Sequence, residues 1–422
     1  MKQHLMLDRL LTLWSGLKSS DRFRAIDLQV GQQIQTWEHG RARMPEQDLP
    51  VSALLGCLVS YCLSRGQVCL RLDRSPIFEL TDAWPSAEYW LALLEKMSSV
   101  WFCSVEDAQE SGGGGWQGQP LIFEVAGDGI QRLYLARYYF YQQDVIDQIH
   151  QRRTSIALDS DQMDLIREWL PKLFPMPQSE VDWQAIAAVT ALRQSVTLIV
   201  GGPGTGKTTT VTRLMAFLNV LNPRVRIAMA APTGKAASRM TESVRNAKGQ
   251  LTVDLSAHLP EEASTLHRLL GWGPSGFRYG TDRPLPYDCL IIDEASMIDL
   301  PMMRHLVTAL SPTAKLVLLG DKHQLTSVEA GSVLSDFCGS ERTVDRDESY
   351  LSFLAYLFGD NVRQILPYRE GGIDSSNGVS GYRGPLCNSV VELQVSHRFS
   401  RDSGIGKLAS LIKRGDADRS FA

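Results

Sequence analysis

A phosphate-binding loop, Gly201-Gly202-Pro203-Gly204-Thr205-Gly206-Lys207-Thr208, places the strongest constraint on how this chain can fold. An apolar run at 196–200 precedes it and a helix-forming segment at 209–220 follows it. A G-x-x-x-x-G-K-[ST] motif requires this strand–loop–helix context. The glycines let backbone N–H groups point at phosphate oxygens, while the helix N-terminus and Lys207 supply positive charge. The loop therefore predicts a nucleoside triphosphate site.

Buried apolar segments alternate with helical segments downstream of residue 180, at 196–200, 226–231, 288–292 and 315–319. This alternation is typical of a parallel α/β sheet. We therefore predict an α/β fold, with the loop at one edge of a parallel sheet, as in a P-loop NTPase (RecA-like) domain.

The region before this domain has a different pattern. Helices are predicted over the first twenty residues, at 51–64 and at 84–100, with a short strand at 67–72 and paired strands at 121–125 and 132–138. The aromatic residues at 134 and 138–141 suit either base stacking or a packed core, and base rates favour the core. We expect residues 1–150 to form a mostly helical N-terminal domain for docking to partner subunits, and 151–180 to be a helix and linker.

Composition narrows the function classes. The net charge of −4 predicts a local groove for any nucleic acid rather than a basic surface over the whole protein. Seven cysteines without a C-x-x-C pair are typical of reduced thiols. The N-terminus lacks the pattern of a signal peptide, and the apolar stretch at 51–63 is too short to span a bilayer. We expect a cytoplasmic protein with no membrane partner.

Two further strand ends carry polar side chains suited to phosphate chemistry. Asp293 and Glu294 follow a buried strand, so Asp293 can hold Mg²⁺ together with the Thr208 hydroxyl, and Glu294 can deprotonate an attacking water. Gln324 follows the next strand and suits a sensor of the γ-phosphate, because an amide can both donate and accept.

A second strand-to-helix junction, Ala231-Pro232-Thr233-Gly234-Lys235, lacks the spacing of a phosphate loop. Its exposed N–H groups with Thr233 and Lys235 suit a phosphodiester backbone. His267 begins a similar helix, although a histidine taken alone is more often structural.

These motifs, in this order, resemble superfamily 1 helicases of the 5′-to-3′ class. The resemblance rests on Gln184, GGPGTGKTTT at 201, APTGKAASR at 231, STLHRLLG at 264, IIDEASMIDLPMM at 291, GDKHQLTSVEAGSVL at 320 and VSHRFSRDSGIGKLA at 395. Within that class the chain is similar to the D (alpha) subunits of bacterial RecBCD enzymes, exonuclease V. This resemblance is strong over residues 180–335 and 391–415 and looser over the N-terminal region.

The resemblance implies roles for individual residues. ATP would be bound by Gln184 at the adenine and by Gly201, Gly202, Pro203, Gly204, Thr205, Gly206, Lys207, Thr208 and Thr209, with Mg²⁺ held by Thr208 and Asp293. Catalysis would fall to Lys207, Glu294, Gln324 and Arg398, the last as an arginine finger from a second motor domain. Pro232, Thr233, Lys235 and His267 would lie along single-stranded DNA.

The resemblance also implies a function and a domain order. The function would be an ATP-dependent 5′-to-3′ DNA helicase or translocase, acting with RecB-like and RecC-like subunits in a heterotrimer during double-strand break repair by homologous recombination. Residues 181–338 would form the first RecA-like ATPase domain, 339–389 a flexible insertion, and 390–422 the start of an incomplete, truncated second RecA-like domain. Because later motifs of the class are missing from the sequence, the alternative is a catalytically weak nucleotide-binding and partner-docking remnant.

Overall fold

The computed structural model describes residues 2–18, 21–39, 44–103, 116–125, 127–153, 155–175, 182–321, 324, 329–331, 333–338, 346–366, 386 and 388–395. The chain divides into two compact units. The first is Met1–Val145 with Asp299–Arg304 and Ser327–Gly331, and the second is Ile146–Ile298 with His305–Thr326 and Ser332–Ala422. None of the helices in the described ranges has both the length and the apolar character that crossing a bilayer needs.

The first unit combines helices with a small mixed sheet. Its helices are α1 (Lys2–Lys18), α2 (Ala25–His39), α3 (Leu49–Ser64) and α4 (Ala87–Leu94), with 3-10 turns at Glu46–Asp48 and Phe78–Ala83. Its strands are β1 (Leu70–Arg71), β2 (Val100–Cys103), β3 (Leu121–Val125) and β4 (Gln131–Leu135). The sheet order is β1-β4-β3-β2, with β2 parallel to β3 and the other pairs antiparallel. The prediction of a mostly helical region is confirmed.

The helix predicted over 84–100 is shorter in the structure: α4 spans Ala87–Leu94, turns follow it at 95–99, and strand β2 begins at Val100. A long-range contact explains the difference. The buried Glu38 carboxylate on α2 accepts from the backbone N–H groups of Ser98 and Ser99 at 3.0 and 2.7 Å. Because these N–H groups are bonded to a side chain, they do not continue a helix.

From residue 136 onward the helices are α5 (Ala136–Gln151), α6 (Ser160–Leu173), α7 (Trp183–Arg193), α8 (Lys207–Leu221), α9 (Gly234–Lys248), α10 (Val253–Ser256), α11 (Leu266–Leu269), α12 (Leu300–Thr308), α13 (Val333–Cys338), α14 (Glu348–Phe358) and α15 (Val362–Ile365). The strands are β5 (Val196–Gly201), β6 (Ile227–Ala231), β7 (Ala263–Thr265), β8 (Trp272–Gly273), β9 (Gly276–Phe277), β10 (Cys289–Ile292), β11 (Lys315–Gly320) and β12 (Val390–Leu393). A 3-10 turn spans Ala295–Met297.

The second unit is built on a six-stranded sheet with the order β12-β5-β11-β10-β6-β7. All five pairings are parallel. Every residue of β5 and β10 is buried, as expected for strands covered on both faces. The four strands predicted from apolar runs are confirmed, and the sheet is the α/β, RecA-like sheet expected from them.

The structure differs from the expected domain order at two places. Within the expected insertion at 339–389 lie helices α14 and α15, and buried Tyr350 of α14 shares a hydrogen bond of 2.6 Å with Thr190 of α7. Strand β12, expected at the start of a second domain, pairs in parallel with β5 in this same sheet. Residues 396–422 lie outside the described residues, and the domain boundaries as a whole stay a prediction.

Lys315, the first residue of β11, caps the C-terminal end of α7 with its side chain. Its ammonium donates to the carbonyl oxygens of Ala191, Leu192 and Gln194 at 3.0, 2.7 and 3.1 Å. Because the last carbonyls of a helix have no partner within the helix, this contact satisfies them and ties α7 to the sheet. Burial lowers the pKa of Lys315 to about 8, and the nearby Cys289 acts in the opposite direction.

Replacing Lys315 with methionine should change how stability depends on pH. The pKa of about 8 in the folded chain lies below the usual value of 10.5, so between these values the unfolded chain binds more protons. The free energy of unfolding of the wild type, minus that of Lys315→Met, should therefore rise as pH increases through this range. Chemical denaturation near each end of the range measures the difference. Lys172→Met, whose side chain is 51% exposed, is the control. A difference that stays constant or falls would contradict the expectation.

Candidate nucleotide site and nucleic-acid edge

The phosphate loop connects the buried end of β5 to the first turn of α8. Gly204 and Gly206 have φ angles of 78° and 82°, in the left-handed region that favours glycine. A Cβ at Gly206 would also lie 2.2 Å from Nε2 of Gln184. The loop thus needs glycine at 206 for two reasons: the backbone conformation and the close approach of α7.

Polar side chains of the loop bind the loop's own carbonyls. The Lys207 ammonium donates to the carbonyl oxygens of Gly201 and Gly202 at 2.7 and 3.2 Å. The Thr205 hydroxyl donates to Gly202 at 2.9 Å. Because Lys207 is the first residue of α8, its charge lies beside the positive end of the helix dipole. This is an arrangement that attracts phosphate.

Two carboxylates follow strand β10 at the same edge of the sheet. Asp293 accepts a hydrogen bond of 2.9 Å from the backbone N–H of Glu294. Burial raises the pKa of Asp293, whereas that N–H and the charge of Lys207 lower it. Burial also raises the pKa of Glu294, the charge of Asp293 raises it further, and Lys207 and Arg239 oppose the rise.

Helix α7 brings Gln184 onto the loop. Asp182 caps the helix, and its carboxylate accepts from the N–H groups of Gln184 and Ala185 at 2.8 and 3.0 Å. The Gln184 side-chain Nε2 donates to the Thr205 carbonyl at 3.2 Å. Arg213 of α8 donates to the Gln184 Oε1 at 3.5 Å, which is longer than the roughly 2.7–3.2 Å usual for an N–H···O hydrogen bond.

One cavity of about 1120 Å³ collects most of the predicted nucleotide residues. They are Gln184, Gly204, Thr205, Gly206, Lys207, Thr208, Thr209, Asp293 and Glu294. Gly201 and Gly202 lie at the start of the loop, where their carbonyls hold Lys207. The structure therefore places the Gln184 amide, the loop lysine and both carboxylates around a single space.

Two predicted catalytic residues are not placed in this cavity. Gln324 is exposed after β11, and its backbone N–H donates to the Asp321 carbonyl at 3.1 Å. Arg398 lies outside the described residues. The sensor and arginine-finger roles stay predictions.

The predicted DNA residues meet at the neighbouring part of the same sheet edge. Strands β6 and β7 pair in parallel with Ala231 opposite Thr265, so Pro232 and His267 follow two adjacent strand ends. Thr233 caps α9 by accepting from the Ala236 N–H at 3.2 Å, and Lys235 and His267 are exposed.

The sequence reasoning did not identify several neighbours of these residues. Trp272, in the hairpin of β8 and β9, is 60% exposed and lies 4.8 Å from Phe277 and 6.2 Å from His267 between ring centroids. The run WGPSGFRYG, which combines three aromatic residues with one arginine, is the signal that could have identified the hairpin. Arg213 and Asn246, which also line the nucleotide cavity, have no comparable signal because they lie within helices, outside any motif.

The parallel sheet, the phosphate loop and the two acidic residues beside it define a P-loop NTPase of the RecA-like type. A family model described as "RecBCD enzyme subunit RecD, N-terminal domain" matches residues 19–134, and one described as "AAA domain" matches residues 184–330. With the relatives below, these matches show that the chain belongs to the RecD family.

Curated relatives match along most of the chain. The RecBCD enzyme subunit RecD of Haemophilus influenzae is 37% identical over 391 residues, which cover 88% of this chain and 57% of the relative. That of Mycolicibacterium smegmatis is 37% identical over 371 residues, covering 85% of this chain and 53% of the relative. The ATP-dependent RecD2 DNA helicase of Deinococcus radiodurans is 32% identical over 249 residues, which cover 58% of this chain and 32% of the relative. The chain spans a little over half the length of the first two relatives.

Replacing Gly206 with alanine should destabilise the second unit by about 1–2 kcal/mol, because the left-handed backbone disfavours a Cβ. The clash with Gln184 should also weaken nucleotide binding. Gly234→Ala is the matched control, since a Cβ there meets nothing within 4 Å. Thermal unfolding and titration with a fluorescent ATP analogue check both effects. Equal stability and affinity in the two variants would show that the loop tolerates a side chain at 206.

Proposed function

We propose that this chain is an ATP-dependent DNA motor subunit, which hydrolyses ATP to move 5′ to 3′ along DNA within a RecBCD-type complex. One observation carries the proposal: Gln184, Lys207 and the Asp293–Glu294 pair line one cavity at the carboxyl edge of a parallel sheet. This edge is where open α/β sheets bind their ligands.

The residues of the cavity fit ATP hydrolysis. The loop N–H groups and Lys207 would hold the phosphates, and the Gln184 amide would bind the adenine. Thr208 and Asp293 would hold Mg²⁺, which when bound neutralises charge on the phosphates. Glu294 would accept the proton of the attacking water, and burial suits it to this role because a raised pKa makes a carboxylate a stronger base.

The neighbouring sheet edge supports a role for single-stranded DNA as the track. Pro232, Thr233, Lys235 and His267 offer hydrogen-bond donors and one full charge to phosphates. The exposed ring of Trp272 beside His267 adds a surface on which a base can stack. Because the whole chain carries a net charge of −4, DNA binding would depend on this local surface.

The relatives support a proposal for the partners, and the cysteines support one for the location. The names of two relatives describe a RecBCD enzyme subunit, which supports a heterotrimer with RecB-like and RecC-like chains in double-strand break repair. The N-terminal unit would dock on these partners. The described cysteines are free thiols, including buried Cys57, Cys62 and Cys289, which supports a reducing location such as the cytoplasm. The alternative of a nucleotide-binding remnant is not favoured, because the relatives include an ATP-dependent RecD2 DNA helicase and because Lys207, Asp293 and Glu294 line one cavity.

Two variants test the proposal. Lys207→Gln should lower the affinity for Mg²⁺·ATP about 10- to 100-fold, since it removes a charge-assisted contact to phosphate. Glu294→Gln should bind ATP but turn it over about 10²–10⁴ times more slowly, because it lacks the base. Fluorescent-nucleotide titration and ATP turnover with and without oligo-dT measure these effects.

Glu262→Gln, which removes an exposed carboxylate outside the cavity, is the control and should resemble wild type. If Lys207→Gln binds and hydrolyses ATP like wild type, the ATPase proposal is wrong. If oligo-dT does not change ATP turnover by the wild type in the presence of its partner subunits, the proposed coupling of hydrolysis to DNA is wrong. The proposed nucleotide site would be unaffected by that result.

A further inference from the structure

We infer that Arg213 is a positioning residue that fixes the direction of the Gln184 side-chain amide and thereby sets the preference of the cavity for adenine over guanine. The inference rests on the proposed function, because it concerns the base of the same nucleotide.

Arg213 is held in place from two sides. Its guanidinium lies over the ring of buried Phe174, with 5.3 Å between the guanidinium carbon and the ring centroid. The negative charge of Asp182, the cap of α7, acts on it from the same end of the cavity. Stacking of the planar guanidinium on an aromatic ring restricts the orientations that the Arg213 side chain can adopt.

Two contacts of opposite polarity determine which way the Gln184 amide faces. Arg213 donates to Oε1 at 3.5 Å, and Nε2 donates to the Thr205 carbonyl at 3.2 Å. Turning the amide by 180° would set its NH₂ group against the guanidinium and its oxygen against the Thr205 carbonyl. Both contacts would then be repulsive, since donor would face donor and acceptor would face acceptor.

A fixed amide distinguishes the two purines. Adenine presents an acceptor at N7 and a donor at its amino group, which match the NH₂ and the oxygen of a glutamine amide. Guanine presents acceptors at both positions, so the amide oxygen would face another acceptor. Without Arg213, one of the two contacts that set the order of donor and acceptor is lost, so the discrimination between adenine and guanine should weaken.

The test is the ratio of ATP to GTP affinity, measured with Mg²⁺ by titration of fluorescent nucleotides. Mg²⁺·tripolyphosphate, which has no base, serves as the probe of the phosphate loop alone. In Arg213→Met, which keeps the apolar stem on Phe174, the ratio should fall at least about fivefold, the equivalent of one hydrogen bond. The affinity for tripolyphosphate should stay unchanged. Arg213→Lys keeps the charge but loses the planar guanidinium, so its ratio of ATP to GTP affinity should lie between those of the wild type and of Arg213→Met.

A double-mutant cycle separates positioning from a merely structural role. If Arg213 acts through the amide, adding Arg213→Met to Gln184→Ala should not change the ratio any further. Should Arg213→Met fail to fold, Arg213→Lys takes its place in the cycle.

The inference is overturned if the wild type shows no preference for ATP, or if Arg213→Met keeps that preference. It is also overturned if the affinities for ATP, GTP and tripolyphosphate all fall in proportion. A wild type that binds none of the three probes would instead overturn the proposed function itself.

Discussion

The close approach of helix α7 to the phosphate loop is the contact on which the nucleotide site depends. Gln184 occupies the space that any side chain at Gly206 would need. The other end of α7 is fixed by the Lys315 ammonium and by the bond between Thr190 and Tyr350. Gln184 and the phosphate loop are therefore held at a fixed separation, by the hydrogen bond from Gln184 to the Thr205 carbonyl and by the anchoring of the far end of α7.

The strand order explains how two kinds of site share one edge. Strand β10, which ends at the acidic pair, pairs with β6, which ends at Pro232. The backbone N–H of Asp293 donates to the Ala230 carbonyl at 2.9 Å, so the two strand ends are bonded directly. The carboxylates and the residues proposed to contact DNA are therefore separated by a single hydrogen-bonded pair of strands.

Much of this could be predicted from the sequence, because the loop and the buried strands leave local patterns. Parallel strands read as continuous apolar runs, and the four runs from 196 to 319 became β5, β6, β10 and β11. Other elements depend on distant contacts. Ser98, which the predicted helix includes, is bonded to Glu38 sixty residues away in sequence, and the position of β12 beside β5 follows from tertiary pairing. The contact of Arg213 with Gln184 could not be predicted, because neither the sequence of the loop nor the apolar runs of the strands indicates it.

Glu294 is the one non-glycine residue with a positive φ, 52°, among the residues that the structure describes. A left-handed backbone at such a residue costs about 1–2 kcal/mol. Glycine or asparagine would relieve that cost, but neither supplies a carboxylate. Stability and chemistry therefore select for different residues at this position, and sequence optimisation for thermostability alone would tend to discard the acid.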